Sequence, residues 1–578
     1  MTDFLMRMFI SCKFKNPVIV QCVNLHKKSA LKNLVLILAA AVVLFFPFLG
    51  KVHLFDWDEI NFAECAREML VTGDYLRVHI DFQPFWEKPP LIFWMQAAAM
   101  KLFGVNEYAA RFPNAVCGVF TLLAVYHIGK KISGERFGLL WALAYAGSLF
   151  PNMYFKSGII DPWFNLFIFL GLWNFIQYAW KCSGFTGVAL PLQQWHYALL
   201  SGMFIGLAML MKGQVALLIF GLTVLVYWVS LRFRIFFSWG HVGLFLLAAV
   251  LTTSVWFGYE TIKNGPWFLQ EFITYQIRLF STHDAGHKGF PGYHYVVLLL
   301  GCFPASVLAI PSFFKSRDVS TQEQDMKKWM LFLFWVVTIL FSIVKSRIIH
   351  YSSMAWFPVT FLGAFTIHQL LQQRLSWKTY ITVIVGVIGT IVGVAFTVFP
   401  FVAMNIRKLI PYVKDEFAQG NMEAQVTWSG FESVIGVVYL ILVWTALTWF
   451  RKGQTAKAAY SLFGGTALTI FLAAAIVVPK VERYSQGASI DFLKERVGED
   501  CYVQVLGFKS YAHLFYTQKP LPQNPNAYDT NWLLQGDIDK PVYFVSKVDR
   551  IKNYTQYTEL KELYRKNGFV FLKREPVR

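Results

Sequence analysis

The stretch "FDWDEINFAECAREML", beginning at Phe55, collects Asp56, Asp58, Glu59 and Glu64 just after the chain's first long apolar run. Further on, "FQPFWEKPPLIFW" sets Glu87 beside Lys88 ahead of two prolines, and "SGIIDPWFNLF" places Asp161 before another. A carboxylate can orient a substrate or take a proton from an attacking group. A lysine can stabilise negative charge growing on a departing group. The prolines fix local backbone dihedrals and keep Glu87 and Lys88 from fraying into a helix, while Pro162 suits the start of one. Taken singly, each acid also fits a solvated loop or a helix cap.

Composition decides which solvent surrounds these groups. The 578 residues are 56% apolar and 18% aromatic with only 15% charged, which is the balance of a membrane protein. The formal charge of +19 comes from lysines and arginines dispersed between apolar runs. No basic stripe interleaves with stacking aromatics, so nucleic acid is not an expected partner. Seven scattered cysteines without a CxxC pair argue against a disulfide framework or a thiolate zinc site. The first apolar run has no small-residue cleavage site after it and is expected to stay as an anchor.

Runs near the length needed to cross hydrocarbon recur roughly 13 times. They fall near 33–50, 110–129, 137–155, 160–180, 195–211, 214–231, 238–260, 294–314, 329–345, 350–369, 379–400, 431–450 and 459–478. Basic residues mark the tail (Arg7, Lys13, Lys15, Lys27, Lys28, Lys32) and alternate connections, including Lys130, Lys131 and Arg136, Lys181, Arg232 and Arg234. Lys315, Lys327 and Lys328, Arg374 and Lys378, and Arg451, Lys452 and Lys457 continue the series. Positive connections face the cytoplasm, so 51–109, 261–293, 401–430 and everything after about 480 are expected outside.

The expected organisation is a cytoplasmic tail over 1–32, a membrane domain over 33–480 and an extracytoplasmic α/β domain over 481–578. Within the first outer loop, "EINFAECAREMLVT" places Ile60, Ala63, Ala66, Met69 and Leu70 on one side, which predicts a helix lying on the membrane surface. "LIFWMQAAAMKLFG" predicts a second interfacial or re-entrant helix. In the last segment "CYVQVLGF", "PVYFVSK" and "FVFLKRE" read as strands. "SIDFLKERVG", "SYAHLFYTQ" and "YTELKELYRKNG" read as helices.

An ionisable group near the membrane midplane costs roughly 2.5–3.5 kcal/mol on insertion scales, so the acids are expected to line a cavity. At this point the residues suggest a family. "DWDEINFAECAREMLVTGDY", "FWEKPPLIFW", "FGVNEYAARFPNA", "IIDPWFNLF", "GLAMLMKGQVALL", "HDAGHKGFPGYHY" and "KSRIIHYSSMAWFP" occur in that order. The set resembles lipid-linked-sugar glycosyltransferases of the GT-C fold, most closely the bacterial aminoarabinose transferases of lipid A, with protein O-mannosyltransferases more distant. The likeness covers about residues 33–370.

The chain is expected to be a polytopic α-helical enzyme of the inner membrane, a monomer, with the basic tail placing its amino terminus in the cytoplasm. A polyprenyl-phosphate sugar is the implied donor, and the implied acceptor is lipid A, another glycan or protein. Asp58 then matches the essential acid of the first loop, Glu87 and Lys88 match the Glu-Lys-Pro-Pro pair, Asp161 a second acid and Tyr351 a tyrosine of the "HY" segment. Some relatives hold a divalent metal, zinc or magnesium, between that glutamate and a later histidine, for which His287, His283 or His294 is available. The chain departs from the aminoarabinose branch at Arg347-Ile348-Ile349-His350-Tyr351, which leaves sugar and acceptor open.

Breaking the bond between anomeric carbon and phosphate puts charge on the leaving phosphate, best met by a preorganised cation. Lys88 is the expected cation, with Arg278 beside it. Lys345 and Arg347 are either span-end anchors or further phosphate ligands, and Lys212 is either a snorkelling residue or a phosphate contact. Asp58, with Glu59 next to it, is the expected base toward a hydroxyl acceptor. A polysaccharide polymerase or ligase using the same carriers, and a secondary transporter, are the alternative readings. The first lacks its usual large later loop, and the second lacks an internal repeat.

Overall fold

The computed structural model describes residues 17–282, 289–315 and 318–576. In a bilayer an apolar run can satisfy its backbone only as a helix or in a closed barrel, and every predicted span falls on a helix or a broken helix. Among the described residues, six helices are long and apolar enough to cross a membrane, or up to nine if each bent pair is one span. The 13 predicted spans also count the runs 33–50, 137–155, 195–211 and 214–231, and breaks bend three pairs by 117°, 52° and 107°. The first helix runs from Pro17 to Phe45, so the expected tail is already helical from Pro17.

The helices pack through small residues. In Thr379–Met404, Val383, Val387, Ile391 and Val398 are exposed along one side, where hydrocarbon suits them. On the other side Gly389 and Gly393 meet helix Ser433–Arg451. A Cβ at Gly436 would lie 2.4 Å from both the Gly393 carbonyl and the Thr397 amide nitrogen. That approach of two backbones is what glycine permits between membrane helices.

Polar contacts fix which ends of the helices lie together. Asp325 accepts bonds from the Trp180 indole at 2.7 Å and the Tyr227 hydroxyl at 2.9 Å. Glu323 accepts from the Ser133 hydroxyl at 2.6 Å and lies 3.5 Å from the Arg374 guanidinium. Connections that carry basic residues therefore gather around the start of helix Thr321–Ile343. Asp161 opens helix Asp161–Cys182, whose far end carries Trp180, so it sits at the opposite end of the bundle.

At that opposite end the helix Asp58–Thr72 is not the surface helix its apolar side predicts. Glu64, Arg67 and Glu68 are as buried as Ile60 and Ala63. Arg67 grips Glu64 with two bonds of 2.7 and 2.6 Å and donates a third to the Lys519 carbonyl at 2.9 Å. Lys519 also pairs with Asp81. The polar side is thus covered by the carboxyl-terminal part of the chain rather than by water. A short hairpin, β1 (His79–Ile80) with β2 (Gln83–Pro84), and the helix Leu91–Phe103 complete the loop.

The carboxyl-terminal part holds a sheet of β3 (Tyr502–Leu506), β4 (Val542–Lys547), β5 (Lys561–Lys566) and β6 (Phe569–Arg574). Its order is β3-β4-β6-β5, with β3 and β4 parallel and the other pairs antiparallel. Helices Gly487–Lys494 and Ala512–Tyr516 match their predicted stretches. The stretch "YTELKELYRKNG" does not, because it contains β5. Asn567 and Gly568 both take positive φ (51° and 81°) between paired Lys566 and Phe569, the two-residue turn that Asn-Gly favours. Tertiary pairing with β6 overrides the helical propensity of its Lys, Glu and Leu residues, and charge on this edge blocks further pairing.

Gly436→Ala is expected to destabilise the protein by about 1–3 kcal/mol, because the helices must separate to admit a methyl group. Thermal unfolding in detergent, compared with the wild type, checks this.

Candidate active site

Two loops must be held together for the acids to meet, and Glu59 holds both. Its carboxylate accepts from the Phe55 amide at 2.8 Å in one loop and from the Gly158 amide at 2.6 Å in the other. Arg111 pairs with it through two bonds of 2.8 Å. The same guanidinium donates to the carbonyls of Leu49, Val52 and His53 at 2.7, 2.6 and 2.9 Å, so all five of its N–H groups are used. Asn114 donates to Ser157 and Ile159, and Gln96 to Gly158, which fixes the backbone leading into Asp161. A Cβ at Gly158 would crowd Ala110, Gln96 and Glu59 at 3.3 Å each. Glu59, expected beside Asp58 as a catalytic acid, is therefore a buried positioning residue.

Asp58 and Asp161 each open a helix, and the two acids face one group of charges. Asp161 is buried and accepts from Lys212 at 2.7 Å. Lys212, in the last turn of Gln194–Lys212, lies 5.3 Å from the Tyr351 ring centroid and 5.7 Å from that of Phe164. His350 stands between the acids, its Nε2 3.7 Å from Asp58, and it also feels Asp161, Lys212 and Lys88. Asp58 remains 35% exposed, so its carboxylate is within reach of a substrate.

Lys88 joins the same group. Burial depresses its pKa below the ordinary 10.5, while Glu87, Asp58 and Asp161 oppose that shift and Lys212 adds to it. Its ammonium sits 4.9 Å from the Tyr275 ring, which the Arg278 guanidinium approaches at 5.2 Å. The Tyr275 ring thus draws the two expected phosphate cations toward each other. Arg347 instead donates to the Gly289 carbonyl, and Lys345 is exposed beside it. His283 and His287 lie outside the described residues. His294 is buried near Arg347 and Phe341. Among the described residues, no three His, Cys, Asp or Glu side chains gather to hold a metal ion.

A family model described as dolichyl-phosphate-mannose-protein mannosyltransferase matches residues 87–256. The undecaprenyl phosphate-alpha-4-amino-4-deoxy-L-arabinose arabinosyl transferase of Edwardsiella ictaluri is 26% identical over 364 residues, 61% of this chain and 63% of that protein. Its counterpart from Pectobacterium atrosepticum is 25% identical over 394 residues, 66% of each. The chain therefore spans somewhat under two thirds of these relatives. The crystal structure of ArnT from Cupriavidus metallidurans bound to undecaprenyl phosphate superposes with a TM-score of 0.73 at 19% identity, covering 93% of this chain and 97% of that one. The chain has the ArnT fold.

This is a GT-C architecture, as the ordered motifs imply. The apo state of ArnT superposes equally well, with a TM-score of 0.74 and 98% of its chain covered. Within the ArnT fold, the matched family segment contains Lys88, Asp161 and Lys212, whereas Asp58, Arg278, His350 and Tyr351 come from outside it. His350 and the Lys212–Asp161 pair escaped sequence reasoning. Their signal was a single basic residue at the end of an apolar run, which a snorkelling side chain also produces.

Beneath the site, burial and the neighbouring Glu64 carboxylate push the Glu68 carboxyl up to about 9. In the unfolded chain it ionises near 4.5, so above that pH the folded state binds more protons and stability falls as pH rises toward 9. Glu68→Gln keeps an acceptor for the Phe82 amide and a donor toward Glu64. It is expected to raise the melting temperature at about pH 8 and change little at about pH 5. Unfolding scans across that range check it.

Proposed function

We propose that the protein is a membrane glycosyltransferase that moves a sugar from a polyprenyl-phosphate donor to a lipid A-like or other envelope acceptor, at the inner membrane. The observation that carries this reading is the meeting of Asp58, Asp161, Lys88, Lys212 and His350 in one group of charges at one end of the helices. The ArnT fold and the names of the relatives support the donor class. The basic connections at the other end support a site facing away from the cytosol. A transporter or polysaccharide polymerase finds no comparable support.

The two aspartates differ in what they can do. Asp161 spends its charge on Lys212 at 2.7 Å and so is suited to orienting. Asp58 lies 3.7 Å from the His350 imidazole and is partly exposed, so its carboxylate is open to an acceptor. An acceptor hydroxyl gives its proton to Asp58 as its oxygen bonds to the anomeric carbon. The bond from that carbon to the phosphate oxygen breaks on the opposite side, with inversion. The electron pair leaves on polyprenyl phosphate, whose charge meets Lys88 and Arg278. A phosphate acceptor needs no such deprotonation, and Asp58 then orients it. A divalent cation held by Glu87 and His287 would act as a Lewis acid toward the same phosphate, and the lysine route stands without it.

Purified protein is incubated with undecaprenyl phosphate-4-amino-4-deoxy-L-arabinose or an undecaprenyl phosphate hexose, together with lipid A, and the products are read by mass spectrometry. Transfer is expected from one donor. Asp58→Asn is expected to lower the rate by about 10²–10⁴ and Lys88→Ala by a comparable factor, each with normal expression. Undiminished transfer by Asp58→Asn contradicts its role as base to a hydroxyl.

A further inference from the structure

The residue before Asp58 is held in a backbone conformation that few side chains adopt. Trp57 has φ 113° and ψ −90°, although it is not glycine, and it forms the cap of helix Asp58–Thr72. Strain of that kind persists only where the surroundings over-determine it. Here the surroundings come from the far end of the sequence. Asp56 accepts at one oxygen from the Tyr511 amide and the Trp57 amide, both at 3.2 Å, and bonds the Ser510 hydroxyl. Its own amide donates to Gln486 at 3.3 Å, and Gln486 returns a bond of 2.6 Å to the Leu54 carbonyl. The Leu54 amide donates to the Tyr516 hydroxyl at 2.6 Å. On the ring side, the indole of Trp57 lies 5.8 Å from Tyr511, with the Lys509 ammonium 4.7 Å away.

Residues 54–57 are thus gripped by residues 486–516, immediately before the proposed base. The grip is made of backbone amides, the Gln486 side chain and the Asp56 carboxylate, so it fixes the direction in which the peptide runs. A peptide held this way leaves the first turn of the helix, and the carboxylate on it, little freedom to rotate away from His350.

We propose that the carboxyl-terminal part of the chain positions the catalytic carboxylate, and that Asp56 is the positioning residue through which it acts on Asp58. The inference rests on the reading of Asp58 as the base. It gives the sheet and its preceding helices a role in the chemical step, distinct from holding a substrate. Misplacing a reacting group by about 1 Å costs on the order of a hundredfold in rate, so loosening the grip must show in kcat.

The test uses the full-length enzyme with the donor that proves active, in four variants. Asp56→Ala is expected to lower kcat between about tenfold and a hundredfold, with the donor KM unchanged and the pH–rate inflection where the wild type has it. Asp56→Asn keeps an acceptor oxygen for the Tyr511 and Trp57 amides and is expected to stay within about threefold of wild type. Trp57→Gly adopts the same φ without strain but does not hold it, and is expected to lose kcat with a normal yield of folded protein. Full kcat in Asp56→Ala overturns the proposal, as does a loss confined to KM or an Asp56→Asn variant as slow as Asp56→Ala. Asp58→Asn, run in parallel, separates the two ideas. If it is fully active the parent reading falls and the proposal with it, whereas an inactive Asp58→Asn beside an intact Asp56→Ala sinks the positioning role alone.

Discussion

One buried ion pair, Glu59 with Arg111, ties together the backbone on which the site depends. It joins the end of the first span, the loop carrying Asp58 and the loop leading to Asp161 in a single set of hydrogen bonds. Each charge is neutralised by the other and every guanidinium donor is used, which is the condition under which two buried charges are tolerable. Either partner alone would be an uncompensated buried charge, at a cost of about 3–5 kcal/mol. The pair therefore secures geometry at a place where the surrounding helices, packed through apolar and small residues, supply little directional information.

Upon that frame the charges divide their work. Lys212 neutralises Asp161, Asp58 stays open to an incoming group, and Lys88 and Arg278 meet at the Tyr275 ring. A low-dielectric setting strengthens all of these interactions, so small differences in pairing become large differences in role. The covering of the first loop by the carboxyl-terminal chain excludes water from one side, and the exposure of Asp58 leaves the other side open to substrate.

Much of this was legible in the residues. Apolar runs located the helices, because backbone in hydrocarbon has few other choices. The acids and Lys88 announced a site because charge in such a chain needs a reason. Other parts were hidden for physical causes. Adjacent helical residues point about 100° apart, so Asp58 and Glu59, an apparent pair, face different surroundings and do different things. The helix Asp58–Thr72 has an amphipathic pattern that fits a membrane surface, yet its polar side meets residues more than four hundred positions away. The strand β5 carries charged residues that favour helices, and its Asn-Gly turn was the local signal that spoke against one. Lys212 and His350 acquire meaning only when a third element brings them to an acid.

On the proposed reading Lys88 receives the donor phosphate beside Asp58 in a single pocket. Cryo-electron microscopy of the protein in lipid nanodiscs with undecaprenyl phosphate locates that phosphate. The phosphate is expected within hydrogen-bond reach of the Lys88 ammonium, in the same cavity as Asp58 and the Asp161–Lys212 pair. Phosphate bound at the opposite end of the helices, or Lys88 and Asp58 opening into separate cavities, would contradict it.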